Sequence, residues 1–394
     1  MDVKLSQRAL GLKPSPTLSV SSRAAELKAA GKDIVDLAAG EPDFDTPEHV
    51  KKAAIQAIKD GFTKYTAVDG IAPLKQAIID KFKRENKLTY ARDQILVSAG
   101  CKHSFYNMAQ ALLNPDDEVI IPAPCWTSYP DMVKLAGADP VIIKTGIDKQ
   151  FKITKDQLRG AITRKTRLLV LNSPSNPTGA CYSAEELKAL GGILEQHPEI
   201  VVVTDDIYEH ILWTGEPFVN IVNVCPDLYE RTVVLNGVSK SYAMTGWRIG
   251  FAAGPQNLIK AMKNLQSQST SNPNSIAQVA AQAALSGDQS FVKQSCATFK
   301  ERHDFIHGEI SKLEGIECLP AQGTFYLFPD MHGVIERLDD VSNDLELAEF
   351  LLEKAGIAVV PGSAFGAPGC LRLSFATDMK TLEKAAKLLQ KVLK

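Results

Sequence analysis

The sequence predicts an α/β protein: a three-layer α/β/α large domain on a mainly parallel seven-stranded sheet, with a smaller α+β domain beside it. Three observations predict this. Seven short β-rich runs alternate with amphipathic helical stretches. Several runs are apolar without alternation, the pattern of strands buried on both faces. After about residue 290 the order changes to one long helical stretch followed by scattered short strands.

In chain order, residues 1–12 read as an N-terminal arm. Segment 13–48 goes with the small domain, because Asp33–Leu37 is an isolated strand ahead of a Pro-rich loop. The large domain spans 49–290. Its strands are Ile95–Ser98, Glu118–Pro122, Pro140–Lys144, Arg167–Asn172, Ile200–Thr204, Thr232–Leu235 and Ile249–Ala253. Between them, Phe105, Met108, Ala109 and Leu112 keep the i, i+3, i+4, i+7 spacing of a helix face. Ser183 and Glu186 form a capping box ahead of a helix over Leu187–Leu194. Between Leu235 and Ile249 there is room only for a short turn or helix, so the last strand is expected to run antiparallel. The C-terminal domain, 291–394, holds a helix over Val292–Leu313 and strands around Thr324–Phe328, Ala358–Val360 and Leu371–Phe375. It also holds helices over Leu345–Lys354 and Leu382–Leu393.

The 394 residues exceed one small core and fit two or three domains. A net charge of −2 gives no reason to expect nucleic acid or an anionic membrane as partner. No apolar run reaches membrane-spanning length, and the N-terminus lacks a signal-type apolar core. Seven cysteines in scattered positions, without CxxC, read as reduced thiols of a cytoplasmic protein. They suggest neither a disulfide frame nor a metal site.

Ligands of open α/β sheets bind beyond the carboxyl ends of the strands, so the residues there carry the chemistry. Ala99-Gly100-Cys101-Lys102 opens a helix with small residues, a place where backbone N–H groups hold phosphate. Trp126 follows the second strand, Asn176 the fourth, Asp205 and Tyr208 the fifth, and Ser239, Lys240 and Arg248 the sixth. Pyridoxal 5′-phosphate needs such a set. Lys240 offers the amine for its aldehyde, and Asp205 a carboxylate for its pyridine nitrogen. Asn176 and Tyr208 offer donors for its ring oxygen, Trp126 a stacking face, and Ser239 with Arg248 partners for its phosphate. Taken singly, each residue has an ordinary explanation: a turn aspartate, a solvated lysine, a core tryptophan, a salt-bridging arginine. Their joint occurrence, each at a strand end, is what points to the cofactor.

The motifs AlaGlyGluProAspPheAspThrPro (39–47), LysTyrThr (64–66), SerAsnProThrGly (175–179), AspAspIleTyr (205–208), SerLysSerTyrAlaMetThrGlyTrpArgIleGly (239–250) and LeuArgLeuSerPhe (371–375) resemble those of the fold-type I pyridoxal-phosphate aminotransferases of class I. The resemblance runs from about Lys13 to the C-terminus and is strongest to the bacterial-type (subgroup 1b) aspartate aminotransferases. It implies the pyridoxal-phosphate-dependent transferase fold and a homodimer with shared sites. Lys240 would be the Schiff-base and proton-shuttling lysine. Gly100, Cys101, Ser239 and Arg248 would cup the phosphate beside Lys102, and Tyr65 would reach it from the other subunit. Arg372 would grip the substrate's α-carboxylate where the Gly40 backbone approaches, with Trp126 and Asn176 alongside. Lys102 stands where relatives place the cation for a distal carboxylate.

The resemblance therefore implies ping-pong transfer of an amino group between L-aspartate and 2-oxoglutarate. Prephenate or aromatic amino acid transamination is the alternative, and a cofactor-binding regulator without turnover is the reading from another class. A regulator leaves Arg372 and Lys102 without a use. Two departures stand out. The cup reads AlaGlyCysLys where relatives often carry more glycines or hydroxyls. Gly237 stands where some carry a hydroxyl, so one phosphate contact is either missing or replaced by Tyr242 or Ser241.

Overall fold

The computed structural model describes residues 3–12, 14 and 16–393. In chain order the strands are β1 (Val35–Asp36), β2 (Ile95–Ser98), β3 (Glu118–Ala123), β4 (Asp139–Lys144), β5 (Thr166–Asn172), β6 (Val201–Asp205), β7 (Thr232–Gly237), β8 (Gly250–Ala253), β9 (Tyr326–Leu327), β10 (Ile357–Ala358), β11 (Val360–Pro361) and β12 (Leu371–Ser374). Strands β2 to β8 make one seven-stranded sheet in the order β2-β8-β7-β6-β5-β3-β4. From β4 to β7 neighbours are parallel. β8 is antiparallel to both β2 and β7, as its short connection from β7 requires.

Side chains of successive strand residues point to opposite faces, and here both faces are apolar. Val97, Ile120, Leu169, Val202 and Val234 join one cluster. Leu96, Val119, Leu168, Val203 and Val233 join the other. Helices cover each face. Phe105, Met108 and Ala109 of Cys101–Leu112 pack beside Ile259 and Met262 of Gln256–Ser269. Leu187, Leu190 and Leu194 of Ala184–Leu194 share the opposite layer with Ala280 and Ala284 of Ser275–Ser286. Each fully buried Val or Leu contributes roughly 1.5–3 kcal/mol. The predicted capping box is made: Ser183 Oγ accepts from Glu186 N at 3.2 Å, and Glu186 Oε2 accepts from Ser183 N at 2.8 Å.

Gly250 and Gly237 face each other across β7 and β8. A Cβ on Gly250 would stand 2.2 Å from Cys101 N and 2.5 Å from Gly100 C, so only glycine lets the loop after β2 lie against the sheet.

The C-terminal part has different pairings. β12 lies between β11 and β9, antiparallel to both, while β1 runs parallel to β10 with Val35 opposite Ile357. The expected strand at Ala358–Val360 thus splits, one half pairing with β1 and the other with β12. The expected helix over Leu345–Lys354 runs as Asp344–Phe350, then widens into a π-type turn over Leu351–Ala355, which Gly356 closes at φ 65°. Helices Ser290–Ile310 and Met379–Val392 bring Phe299, Ile306, Leu382 and Leu389 onto Phe325, Leu327, Leu371 and Leu373. No helix among the described residues is long and apolar enough to cross a membrane. All seven cysteines are free thiols.

Candidate active site

A cavity of about 580 Å³ opens at the carboxyl ends of the parallel strands. Its walls include Asn176, Asp205, Tyr208, Ser239 and Lys240 from the sheet side, and Gly40, Tyr326 and Arg372 from the C-terminal side. Cys101, Lys102, Trp126 and Arg248 complete it. Eleven of the residues singled out in the sequence therefore meet at one place. Gly100 lies just behind, at φ 89°, where a Cβ would come within 2.5 Å of the Arg248 guanidinium. The absent side chain is what lets that arginine pack on the loop. Tyr65 is 92% exposed and lies outside the cavity of its own chain.

Lys240 lies three residues beyond the end of β7, and its Nζ donates to the Gly40 carbonyl at 2.6 Å. Burial, and then the charge of Arg372, pull this amine down to about 8, within reach of the neutral form near physiological pH. Asp205 ends β6. Its Oδ2 accepts from Tyr129 Oη at 2.6 Å, and burial pushes its carboxyl above the usual range although Tyr129 opposes the shift. Tyr208 Oη lies 3.1 Å from Tyr326 Oη. Arg372 is 2% exposed: Nη1 donates to Asn176 Oδ1 at 3.0 Å and Nη2 to the Ala38 carbonyl at 2.8 Å. Its Cζ lies 4.3 Å from the Tyr326 ring centre, and its buried Nε–H has no partner among the described residues. A guanidinium so held keeps donors free for an incoming carboxylate. Lys102 Nζ stands 4.9 Å from the Trp126 ring centre, a cation over an indole face. Arg248 is anchored on the Thr245 and Ala99 carbonyls at 3.0 and 3.2 Å.

Sequence reasoning missed two site residues. Tyr129 lies three residues after Trp126, and only the fold aims its hydroxyl at Asp205. Tyr326 lay in a predicted strand with nothing to mark it off from core aromatics. The suggested substitutes at the cup are corrected: Ser241 Oγ pairs with His210 Nδ1 at 3.1 Å, and Tyr242 Oη donates to Gln289 at 2.7 Å, both away from the cavity. The Gly237 departure has a steric reason. A Cβ there would meet Cys101 Sγ at 3.2 Å and Gly250 Cα at 3.0 Å, and Cys101 Sγ itself is spent on the Asn236 carbonyl at 2.8 Å.

Behind the site, Glu85, Glu209 and His210 converge. The Lys81 ammonium already stands among them, bonded to Glu209 and 3.6 Å from Glu85 Oε2. Burial works against the Glu85 carboxylate, but His210 and Lys81 outweigh it and hold the group at about 2.

The profile of the family "Aminotransferase class I and II" matches residues 32–389. The chain belongs to this aminotransferase family. Its members use pyridoxal 5′-phosphate and act on small amino and oxo acids. The aminotransferase is 58% identical to an aspartate/prephenate aminotransferase of Nitrosomonas europaea, over 99% of this chain and 100% of the relative. It is 49% identical to an aspartate aminotransferase of Geobacillus stearothermophilus, over 97% of each chain. Among solved structures, the aspartate aminotransferase of Rhizobium meliloti superposes with a TM-score of 0.96 at 45% identity, covering 100% of this chain and 99% of that one. The Thermus thermophilus aspartate aminotransferase with maleate gives 0.93 at 42% identity, covering 99% and 100%.

Proposed function

We propose that this aminotransferase moves the amino group of L-aspartate to 2-oxoglutarate in two half-reactions. The observation that carries the substrate reading is a pair of cations across one cavity. Arg372 offers free donors at one side, and Lys102 stands over Trp126 at another. A dicarboxylic amino acid needs both. The Thermus relative was solved with maleate, a four-carbon dicarboxylate, which supports the same reading.

The residues present fit pyridoxal 5′-phosphate. The amine of Lys240, the buried Asp205, the phenol of Tyr208 and the Asn176 amide line one wall. Ser239, Arg248 and the backbone from Gly100 to Lys102 form the cup for its phosphate. Once bound, the cofactor supplies an aldehyde that takes the amino group and a ring that accepts electrons from the α-carbon. Asp205 would hold the pyridine nitrogen, Asn176 and Tyr208 the ring oxygen, and Trp126 would cover the ring face. Arg372 and the Gly40 backbone orient the α-carboxylate. The Lys240 Nζ, which burial lowers to about 8, would take the α-proton and return it one carbon away.

Prephenate is a second amino acceptor in this reading, because relatives of the aminotransferase are named for both substrates. Prephenate also carries two carboxylates, so the same two cations suit it. A panel of donors and acceptors tests the assignment. Oxaloacetate should appear from aspartate with 2-oxoglutarate, and aspartate should aminate prephenate. Absence of transfer from aspartate overturns the first reading, and a prephenate rate at background removes the second.

We further infer a cytoplasmic homodimer in which Tyr65 reaches the partner's cup. Its 92% exposure in one chain supports this. Tyr65→Phe protein mixed with Lys240→Ala protein should form hybrid dimers with one intact site and regain activity; none regained would refute sharing. The division into an arm (1–12), a small domain (13–48 with 291–394) and a large domain (49–290) fits the pairing of β1 with β10.

A further inference from the structure

We propose that Tyr129 is a positioning residue of this aminotransferase: its hydroxyl holds Asp205 as a carboxylate aimed at the cofactor nitrogen. The inference rests on the reading of Asp205 given above.

Tyr129 is the second residue of the helix Ser128–Leu135 and is 1% exposed. Its ring cannot turn away. Phe105 lies against it at 4.9 Å, and Trp126 meets it edge-on at 5.2 Å with an interplanar angle of 88°. So fixed, its hydroxyl donates to Asp205 Oδ2 at 2.6 Å, the length of a charge-assisted bond. Asp205 is 5% exposed, and the only other donor to its side chain among the described residues, Ile207 N, is distant at 3.4 Å from Oδ1. A buried carboxylate with no strong donor would take a proton and lose its use as a partner for a protonated ring nitrogen. The groups around Asp205 do not suffice. The Lys240 charge favours the carboxylate, whereas Asp206, Tyr208 and the Cys101 thiol gain nothing from a second negative charge beside them. Tyr129 therefore supplies the short donor that burial makes necessary.

Equilibrium dialysis of the apoprotein against pyridoxal 5′-phosphate, over a pH series, tests this. Wild type, Y129F, D205N and the double variant are compared. Phenylalanine keeps the ring and its contacts with Phe105 and Trp126, and near-ultraviolet circular dichroism checks that the packing survives. Y129F should weaken cofactor binding about tenfold, as expected for a hydrogen bond to a charged group. The acid limb of its binding profile should also move to higher pH, because Asp205 then protonates more readily. In the D205N background the same substitution should change affinity less than about twofold, since the bond to a neutral amide is weaker. Wild-type affinity in Y129F, or an equal loss in both backgrounds with an unmoved acid limb, overturns the proposal and leaves Tyr129 a packing residue. If D205N alone binds like wild type, the reading of Asp205 itself is overturned.

Discussion

The two sides of the cavity are built in opposite ways. On the sheet side, each functional residue sits within a few positions of its own strand's carboxyl end: Asp205 closes β6, Asn176 follows β5 and Lys240 follows β7. On the C-terminal side, one site is assembled from segments that are remote in sequence. Arg372 on β12 reaches back to the Ala38 carbonyl, 334 residues earlier, and Tyr326 comes from β9 between them. Parallel strands hold the first set in place through a ladder buried on both faces. The second set relies on the pairings of β1 with β10 and of β12 with β9, together with the Arg302–Asp43 ion pair at 2.7 Å that ties the 38–47 loop to the long helix. In the proposed reading the cofactor chemistry and the Lys102 cation belong to the rim on the sheet side, and the Arg372 grip on the α-carboxylate belongs to the assembled side.

Four substitutions or titrations would break or sharpen that contrast. The largest effect is expected at the rim. Lys240→Ala should lower kcat about 10⁴-fold, the upper range for a positioned proton-transfer group, and borohydride should then fix no cofactor to the chain. Turnover assays and peptide mass mapping check both. On the assembled side, Arg372→Lys should reduce kcat/KM for aspartate about 10³-fold, since an ammonium cannot reproduce the planar fork. It should leave cofactor affinity nearly intact, and a large loss of cofactor there would erase the distinction between the two sides.

The third prediction concerns the rim's foundation. Glu209→Gln leaves the Lys81 ammonium, itself 1% exposed, with only the more distant Glu85 carboxylate at 3.6 Å. Unfolding free energy should drop by about 3 kcal/mol, as for other broken buried pairs, and denaturant titration of the apoprotein measures it. The smallest effect links the sides. In the apoprotein, acylation of Lys240 should reach half its maximal rate near pH 8, with surface lysines responding at higher pH. Arg372→Met removes a positive charge from its surroundings, which favours the ammonium, so the midpoint should rise while staying below that of surface lysines because burial persists. An unmoved midpoint would show that the two walls act independently.

Much of this is legible in the sequence. The seven strand runs needed only their β-rich composition between helical stretches, several of them apolar without alternation, and the antiparallel β8 needed only a count of the residues separating it from β7. Lys240, Asp205 and Trp126 could be placed because a strand end is a local feature. Other parts were not legible for equally physical reasons. The split at Ala358–Val360 depends on which remote strand each half meets. Tyr129 and Tyr326 look like core aromatics until the fold brings a carboxylate and an arginine to them. The roles suggested for Ser241 and Tyr242 failed because His210 and Gln289, both from other segments, had already taken their hydroxyls.

The sequence by itself determined the alternation of strand and helix, the buried character of the sheet and the row of polar residues at its carboxyl edge. Apolar periodicity and strand ends are properties of neighbours along a chain. Only the tertiary structure decided that Arg372 is buried with its Nε–H unpartnered among the described residues, that Lys240 is pulled toward neutrality, and that Asp205 has a tyrosine to hold it. Burial, charge proximity and hydrogen-bond aim depend on groups that meet only when distant segments pack, and no local pattern encodes them.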